Sequence, residues 1–393
     1  MKKIFILILV VFLLSGCKYD MYELPKDVNI VLNENSFEVF SEHSSNELVY
    51  NSNVEIINNN DLVTDKIGDY TFTLEFIYNK KKYKKDINYS VIDTVKPIFI
   101  GSKKVIEMLV NSEDNPCDKI SFGDNYDNKP VCTVDGEYDI NTIGTYDNLK
   151  FVIKDSSGNE DNKEFKLSVV NELSKATVNK NPKYVYIEDV IKNYKNDNTS
   201  IGIDVSRWQG NVDFNKVKNA GIEFVILRMG SQRDMNDNID IDSKFLEYYK
   251  AIKEAGLKVS VYVYNTSVSY DDGVKLAKWV INMLDGDKLD YPIAYDWENW
   301  DKFNKFNISL HTLSDSYLAF EKTIKEAGYD AMLYSSKYYL ENVWMNYDKS
   351  NIWLAHYTDK TDYSGKYMLW QMTSLGKVPG ITDNTVDIDI LYK

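Results

Sequence analysis

Ile201-Gly202-Ile203-Asp204-Val205-Ser206-Arg207-Trp208-Gln209-Gly210 divides this 393-residue chain into two regimes. Its first five residues are an apolar run interrupted by one acid near the carboxyl end. Such a run reads as a strand buried on both faces. Similar runs follow at Phe224-Val225-Ile226-Leu227, Val259-Ser260-Val261-Tyr262 and Tyr291-Pro292-Ile293-Ala294-Tyr295. Between them the spacing changes to that of helices. Phe245, Tyr249 and Ile252 share one helical face, as do Leu313, Tyr317, Phe320 and Ile324. Ala255-Gly256 and Ala327-Gly328 supply the glycine stops expected just past a last turn. Further strands are predicted at 351–355, 367–371 and 386–388. Strand–helix alternation implies parallel strands with crossover helices, so residues 199–393 are read as an α/β sheet or barrel. About 195 residues is short for a complete eightfold barrel, which predicts that some helices are missing.

Upstream, from 27 to 171, the period is two. Thr71-Phe72-Thr73-Leu74-Glu75-Phe76 and Glu164-Phe165-Lys166-Leu167-Ser168-Val169 alternate as half-buried strands do. The stretch also repeats itself. Ile67-Gly68-Asp69-Tyr70 and Ile143-Gly144-Thr145-Tyr146 each precede a long hairpin, with turns at 79–81 and 155–159. The Gly-Thr-Tyr, strand, Asp-Ser-Ser-Gly-Asn, strand order resembles bacterial immunoglobulin-like domains. This implies two small all-β sandwiches, at 27–93 and 94–171, acting as spacers. Residues 172–198, polar and rich in Lys and Asn, are expected to form a linker.

Composition narrows the function. Hydrophobic residues at 44% exclude wholesale disorder. An excess of 60 acids over 46 bases gives a net charge of −14, which argues against nucleic acid as partner. With 3 Cys and 3 His, a His/Cys zinc cluster is not expected. No phosphate-binding glycine loop occurs either, so neither metal nor cofactor is implied. Met1 to Lys3 and the apolar run Ile4 to Leu14 form a secretory leader too short to span a bilayer of about 30 Å. Leu14-Ser15-Gly16-Cys17 resembles a lipobox. That implies a signal peptide at 1–16, a lipidated Cys17 and a tether over 17–26, holding the protein on the outer face of a bacterial membrane. Cys117 and Cys132 would then lie in an oxidising compartment, where they could be bridged or remain free thiols.

Acids stand where strands end. Asp204 closes the first strand of the C-terminal half, and Asp296 and Glu298 close a later one. Residues i and i+2 of a strand face one way, and a parallel barrel gathers its strand ends into one cleft. Close carboxylates raise one another's pKa, which suits acid catalysis of glycoside cleavage. Asp-x-Glu alone is a weak signal. Its neighbours strengthen it: Asp-Val-Ser-Arg-Trp-Gln-Gly at 204–210, Asp-Trp-Glu at 296–298, Ile-Trp-Leu-Ala-His-Tyr at 352–357, Trp-Gln at 370–371, Gly-Lys-Val-Pro-Gly-Ile at 376–381 and Val-Asp-Ile-Asp at 386–389.

In that order these motifs resemble glycoside hydrolase family 25, the N-acetylmuramidase lysozymes, over residues 199–393. The resemblance implies an irregular TIM-like barrel, (β/α)5β3, that cuts the β-1,4 bond from N-acetylmuramic acid to N-acetylglucosamine in peptidoglycan. It assigns Glu298 as proton donor, Asp296 as its partner, Asp204 as a further catalytic acid and Asp387 as a cleft acid. Tyr262, Tyr264, Trp353 and Gln371 are the expected substrate contacts, and His356 is expected at the rim without a ligand role. Two departures bear on substrate contacts. Leu227-Arg228-Met229-Gly230-Ser231 stands where relatives often carry Lys-Ala-Thr-Glu-Gly, and Tyr262-Val263-Tyr264 replaces Tyr-His-Phe. The expected whole is a monomeric, membrane-anchored wall hydrolase. The competing readings are a surface lipoprotein that binds glycan without cutting it, and a hydrolase of another N-acetylated glycan such as chitin.

Overall fold

A computed structural model describes residues 24–33, 35–175, 181–234 and 238–393. The expected signal peptide and Cys17 lie outside the described residues. Two compact units meet between Thr94 and Val95.

In the first unit, the hairpin of Gly68–Tyr78 and Lys81–Ile92 forms the centre of a four-stranded sheet. Asn79 and Lys80 turn it, both at positive φ (47° and 63°), the two-residue geometry that matches strand twist. Ser36–Glu38 pairs parallel on one side and Glu55–Ile56 antiparallel on the other. Ile30–Leu32 with Val49–Ser52 makes a separate two-stranded sheet. Phe37, Leu48, Leu74, Phe76, Ile87 and Val91 are buried, the inward half of the alternation.

The second unit begins with the same strand arrangement. Val105–Leu109, Glu160–Val170, Gly144–Lys154 and Val131–Asp135 form one sheet, with its first pair parallel, and Ile98–Gly101 pairs with Ser121–Gly123. Phe151 stacks on Phe165 at 3.7 Å in its core. The repeated tyrosines do one job in both copies: Tyr70 donates to the Lys66 carbonyl (2.7 Å) and Tyr146 to that of Thr142 (3.0 Å). Cys117 and Cys132 are bridged, with Cα atoms 6.0 Å apart.

The remainder of that unit is a closed ring of strands. β1 (Thr199–Val205), β2 (Phe224–Ser231), β3 (Lys258–Tyr264), β4 (Ile293–Asp296), β5 (Ala331–Ser336), β6 (Asn351–Ala355) and β7 (Leu369–Lys377) run parallel. β8 (Val386–Tyr392) pairs antiparallel with both β7 and β1 and closes the ring. Helices follow each of β1 to β5: α2 (Phe214–Asn219), α3 (Phe245–Glu254), α4 (Tyr270–Leu284), α5 (Leu310–Glu326) and α6 (Lys337–Asn342). No helix separates β6, β7 and β8, as the short length anticipated. The ring is filled by Phe224, Ile226, Ala294, Met332, Trp353, Leu369 and Leu391, a packed interior rather than a pore.

Two features depart from the sequence reading. Residues 172–198 are not all linker. Val185–Tyr186 adds a parallel strand to β7, and α1 (Ile187–Tyr194) buries Ile187 and Val190 completely in the barrel core. The signal was present as Ile187, Val190, Ile191 and Tyr194 at i, i+3, i+4, i+7, masked by the polar residues between them. The second β-module also packs on the barrel. Ile100 joins the barrel's helix–strand core. The Asn304 side chain takes both the N–H and the C=O of Phe122, each at 3.2 Å. Leu310 N donates to Asp124 O (2.8 Å) and Tyr338 OH to Phe99 O (2.6 Å). Gly123 permits this approach, since a Cβ there would lie 2.7 Å from the Phe303 ring.

These contacts generate a prediction. Ile187 and Val190 should each contribute about 1.5–3 kcal/mol through burial. A fragment starting at Thr199 should therefore unfold at a clearly lower temperature than one starting at Val95, by calorimetry. Equal midpoints would mean that neither α1 nor the module supports the barrel.

Candidate active site

β1 and β8 bring the first two acids together. Their antiparallel register sets Asp204 directly opposite Asp387, and opposite residues on neighbouring strands point to one side. Asp296 is the last residue of β4, beside Tyr264 and Tyr334 in the flanking strands. Glu298 follows two positions later. One cavity of about 190 Å³ is lined by Asp204, Asp296, Glu298 and Asp387 together with Tyr262, Trp353 and Gln371. Seven of the eight residues expected from sequence thus converge. Tyr264, the eighth, stands beside them with its hydroxyl on Asn299 Oδ1 (3.3 Å).

Tyr334 and Tyr357, which the sequence reading did not single out, complete the wall. Both hydroxyls donate to Gln371 Oε1 (2.8 and 3.0 Å), while Gln371 Nε2 donates to Asp204 Oδ2 (2.8 Å). Gln371 therefore acts as a relay, its amide orientation set by two tyrosines and spent on one acid. The clue to Tyr334 was the apolar run Ala331-Met332-Leu333 after a glycine stop, a strand the sequence reading passed over. Trp353, expected as a sugar contact, is the floor: 1% exposed, its ring against Tyr334 (4.6 Å) and Tyr262 (6.0 Å).

Burial dominates the electrostatics. It pushes Asp204 well above the usual carboxylate range, and the charges of Asp387, Asp389 and Asp296 push it further. Burial likewise raises Asp296, with Glu298 adding to the rise. Glu298 itself opens to solvent, yet the concave walls withdraw water from it and raise its carboxyl too. Asp296 Oδ1 is buried with no hydrogen-bond partner among the described residues, and the nearby Glu298 carboxyl disfavours its ionisation. The two acids therefore titrate as a pair. Asp387 is raised to about 7 by burial, with the Glu298 charge contributing. One cation opposes these effects. Arg228, ion-paired to Asp242 at 2.6 Å, favours the ionised form of Asp296. Tyr264 is pushed up to about 12 by burial and then by Asp296 and Glu298.

Glu298, Tyr334 and Tyr357 also line a second cavity of about 670 Å³, with Trp300, Tyr338, Tyr339 and Lys337 in its walls. Glu298 thus stands where a small acidic pocket meets a larger groove with aromatic walls. His356 lies on the groove's side, its Nδ1 2.9 Å from Thr361 Oγ1.

Residues 203–381 match the family model described as glycosyl hydrolases family 25. Those residues thus form a domain of that family. Among curated proteins, an autolytic lysozyme from Clostridium acetobutylicum is 28% identical over 190 residues, 48% of this chain and 54% of that protein. YegX, an uncharacterized protein of Escherichia coli K12, is 26% identical over 194 residues, 48% of this chain and 68% of that one. The chain thus spans about half the length of the autolytic lysozyme. Similar solved structures include the modular autolysin LytC from Streptococcus pneumoniae (23% identity, TM-score 0.45, 62% of this chain and 56% of that one). A family 25 glycosyl hydrolase from Bacillus anthracis is 17% identical with TM-score 0.44, covering 51% of this chain and 92% of that one.

The raised acids of the family 25 domain make its stability depend on pH. Asp387 folded titrates near 7, against about 3.9 for an unfolded aspartate. The native state then binds more protons, so stability is full below about pH 4 and falls as pH rises toward 7. Asp204 and Asp296 act in the same direction. The melting temperature should drop across this window, and Asp387→Asn should flatten the drop. A midpoint that climbs over the same window would contradict the burial account.

Proposed function

We propose that this protein is a lipid-anchored peptidoglycan hydrolase that cleaves the β-1,4 bond between N-acetylmuramic acid and N-acetylglucosamine. One observation carries the reading. Glu298, a carboxyl raised by its surroundings yet open to solvent, stands at the junction of an acidic pocket and an aromatic groove. Sugars present C–H faces that suit aromatic walls, and a protonated acid at the junction reaches the oxygen of the bond lying across it. The name of the clostridial relative, an autolytic lysozyme, points to the same substrate.

The chemistry follows from the pair. Glu298 gives its proton to the leaving glycosidic oxygen. Asp296, left anionic, stabilises the positive charge at the anomeric carbon, directly or by orienting the substrate's acetamido group. Asp204, held by Gln371, and Asp387 line the pocket on the side where that charge develops. After the leaving sugar departs, water adds to the anomeric carbon and gives its proton to the Glu298 carboxylate, which restores the acid. A protein that merely held glycan would have no use for buried carboxyls competing for protons.

Five β/α units followed by three strands support reading the ring as the irregular (β/α)5β3 barrel. Four-plus-two strand modules whose tyrosines bond back to the preceding turn support the immunoglobulin-like reading. The lipobox at Cys17 supports a monomeric enzyme tethered outside the membrane and facing the wall, with the β-modules lifting it outward.

Two tests follow. Glu298→Gln should lower muropeptide release by at least about 10²-fold while wall binding persists, because general acid catalysis supplies about 10²–10⁴-fold. Asp296→Asn should be similarly damaging, whereas Asp315→Asn on α5 should stay within a few-fold. Mass analysis of the products should show reducing N-acetylmuramic acid ends, and near-normal release by folded Glu298→Gln would remove Glu298 from its role. Separately, Cys17→Ser should abolish incorporation of labelled palmitate and firm membrane association. Label still entering that variant would refute the anchor.

A further inference from the structure

A second cleft lies beside the aromatic groove, and the proposed chemistry does not use it. It has a volume of about 580 Å³ and opens between the second β-module and the segment that follows Glu298. One wall comes from the β-module around the Cys117–Cys132 bridge, with Asp114, Asp118 and Lys119. The other is the barrel segment that carries Asp301, Lys302, Asn304 and Lys305. Asp301 lines both this cleft and the groove, so the two recesses adjoin across one side chain.

Both walls are held in place without a ligand, which lowers the cost of binding one. Asn304 joins them, taking the N–H and the C=O of Phe122 at 3.2 Å each. On the module side, Asn115 Oδ1 accepts the Cys117 N–H and Asp118 Oδ2 accepts the Asn115 N–H, both at 2.9 Å. Lys119 is ion-paired to Asp114 at 2.5 Å, so those two charges already answer each other. The barrel side is different. Asp301, Lys302 and Lys305 are exposed, and none of the ion pairs among the described residues includes them. In a chain of net charge −14, two lysines on one short segment thus stand without an acid.

The two recesses differ in chemistry. The groove is walled by rings, which suit the C–H faces of sugars. The cleft has Phe122 as its one ring and offers charges of both signs instead. A neutral glycan gives those charges nothing to meet. A strand of wall glycan does, because its N-acetylmuramic acid carries a short peptide with free carboxylates and an amine. We propose that the cleft holds the peptide stem of a glycan bound in the groove. Lys302 and Lys305 take the stem's carboxylates through charge-assisted hydrogen bonds, and Asp301, at the boundary, takes its amine. The ligand class rests on the hydrolase reading. The barrel then reads the sugar, and the junction of barrel and β-module reads the branch, which makes the module half of a binding site and favours peptidoglycan over chitin.

The test is calorimetric titration of the full-length protein with a soluble stem peptide that carries carboxylates and a free side-chain amine. Saturable binding is expected. The double variant Lys302→Glu, Lys305→Glu should weaken it at least about 10-fold, since each reversal removes an attractive contact and adds a repulsive one. Both side chains are exposed, so the double variant should keep the wild-type melting temperature. In turnover, wild type should show a higher kcat/KM on stem-bearing strands than on strands stripped by an amidase, and the double variant should lose that advantage. No saturable binding to wild type, or equal affinity in the double variant, would overturn the proposal. So would equal binding of an unrelated acidic peptide of the same length, which would show only a general surface attraction. The titration breaks no bond, so the two readings fail separately. A protein that binds the stem but leaves the wall uncut refutes the hydrolase reading and leaves the cleft assigned. A protein that cuts both kinds of strand equally well refutes the cleft alone.

Discussion

The antiparallel pairing of β8 with both β7 and β1 is the constraint on which the rest depends. It closes the ring without a crossover helix, and its register sets Asp387 across from Asp204. A slip of one residue would turn both β8 acids outward and bring Ile388 to the cavity. Closure without helices leaves that flank bare of the jacket that α2 to α6 give the other side. The chain covers it from upstream. The short strand Val185–Tyr186 extends the sheet beside β7, and α1 sends Tyr194 against the Trp370 ring. The segment before the first barrel strand is thus part of the barrel because the last three strands lack helices of their own.

Gathering acids into a water-poor cavity opposes folding, and the structure shows how the opposition is met. Donors are allotted singly: Gln371 to Asp204, Trp353 to Asp389. Where donors run out, Asp296 and Asp389 each keep one buried oxygen without a hydrogen-bond partner among the described residues, and burial raises both carboxyls above the usual range. The partially buried Arg228–Asp242 pair contributes a cation from behind β2. Arg228 comes from the segment where this sequence departs from the usual family pattern, so the departure alters the charge felt by Asp296.

The acids were legible in the sequence because strand ends converge in any parallel barrel, so Asp204, Asp296, Glu298 and Asp387 needed only the strand assignments. The aromatics were less legible. A tyrosine or tryptophan at a strand end packs inward or faces the cleft by the same period, and Trp353 does both, lining the cavity floor while almost fully buried. Tyr334 was missed with its strand, and Asp389 because its neighbour Asp387 absorbed the motif. The hairpins at 68–92 and 144–170 emerged where the repeat put them, since alternation and turn residues are local. Docking of the second module was beyond reach: Asn304 and Phe122 are 182 positions apart, and no local pattern encodes their meeting.

That docking bears on the acid itself. Glu298 lies past the end of β4, on a segment with no ladder hydrogen bonds to fix it, so packing must do so. On one side Trp297 is fully buried among Trp300, Phe303 and Phe306, and Trp300 stacks on Tyr339 at 4.0 Å. On the other, Asn304 grips the Phe122 backbone and Phe303 lies over Gly123 of the β-module. A proton donor must be placed to within a fraction of an ångström of its acceptor. Here the tolerance is set jointly by an aromatic nest within the barrel and by a β-strand outside it. The module next to the barrel therefore helps to fix residues 297–306, and a spacer role alone does not account for its contacts.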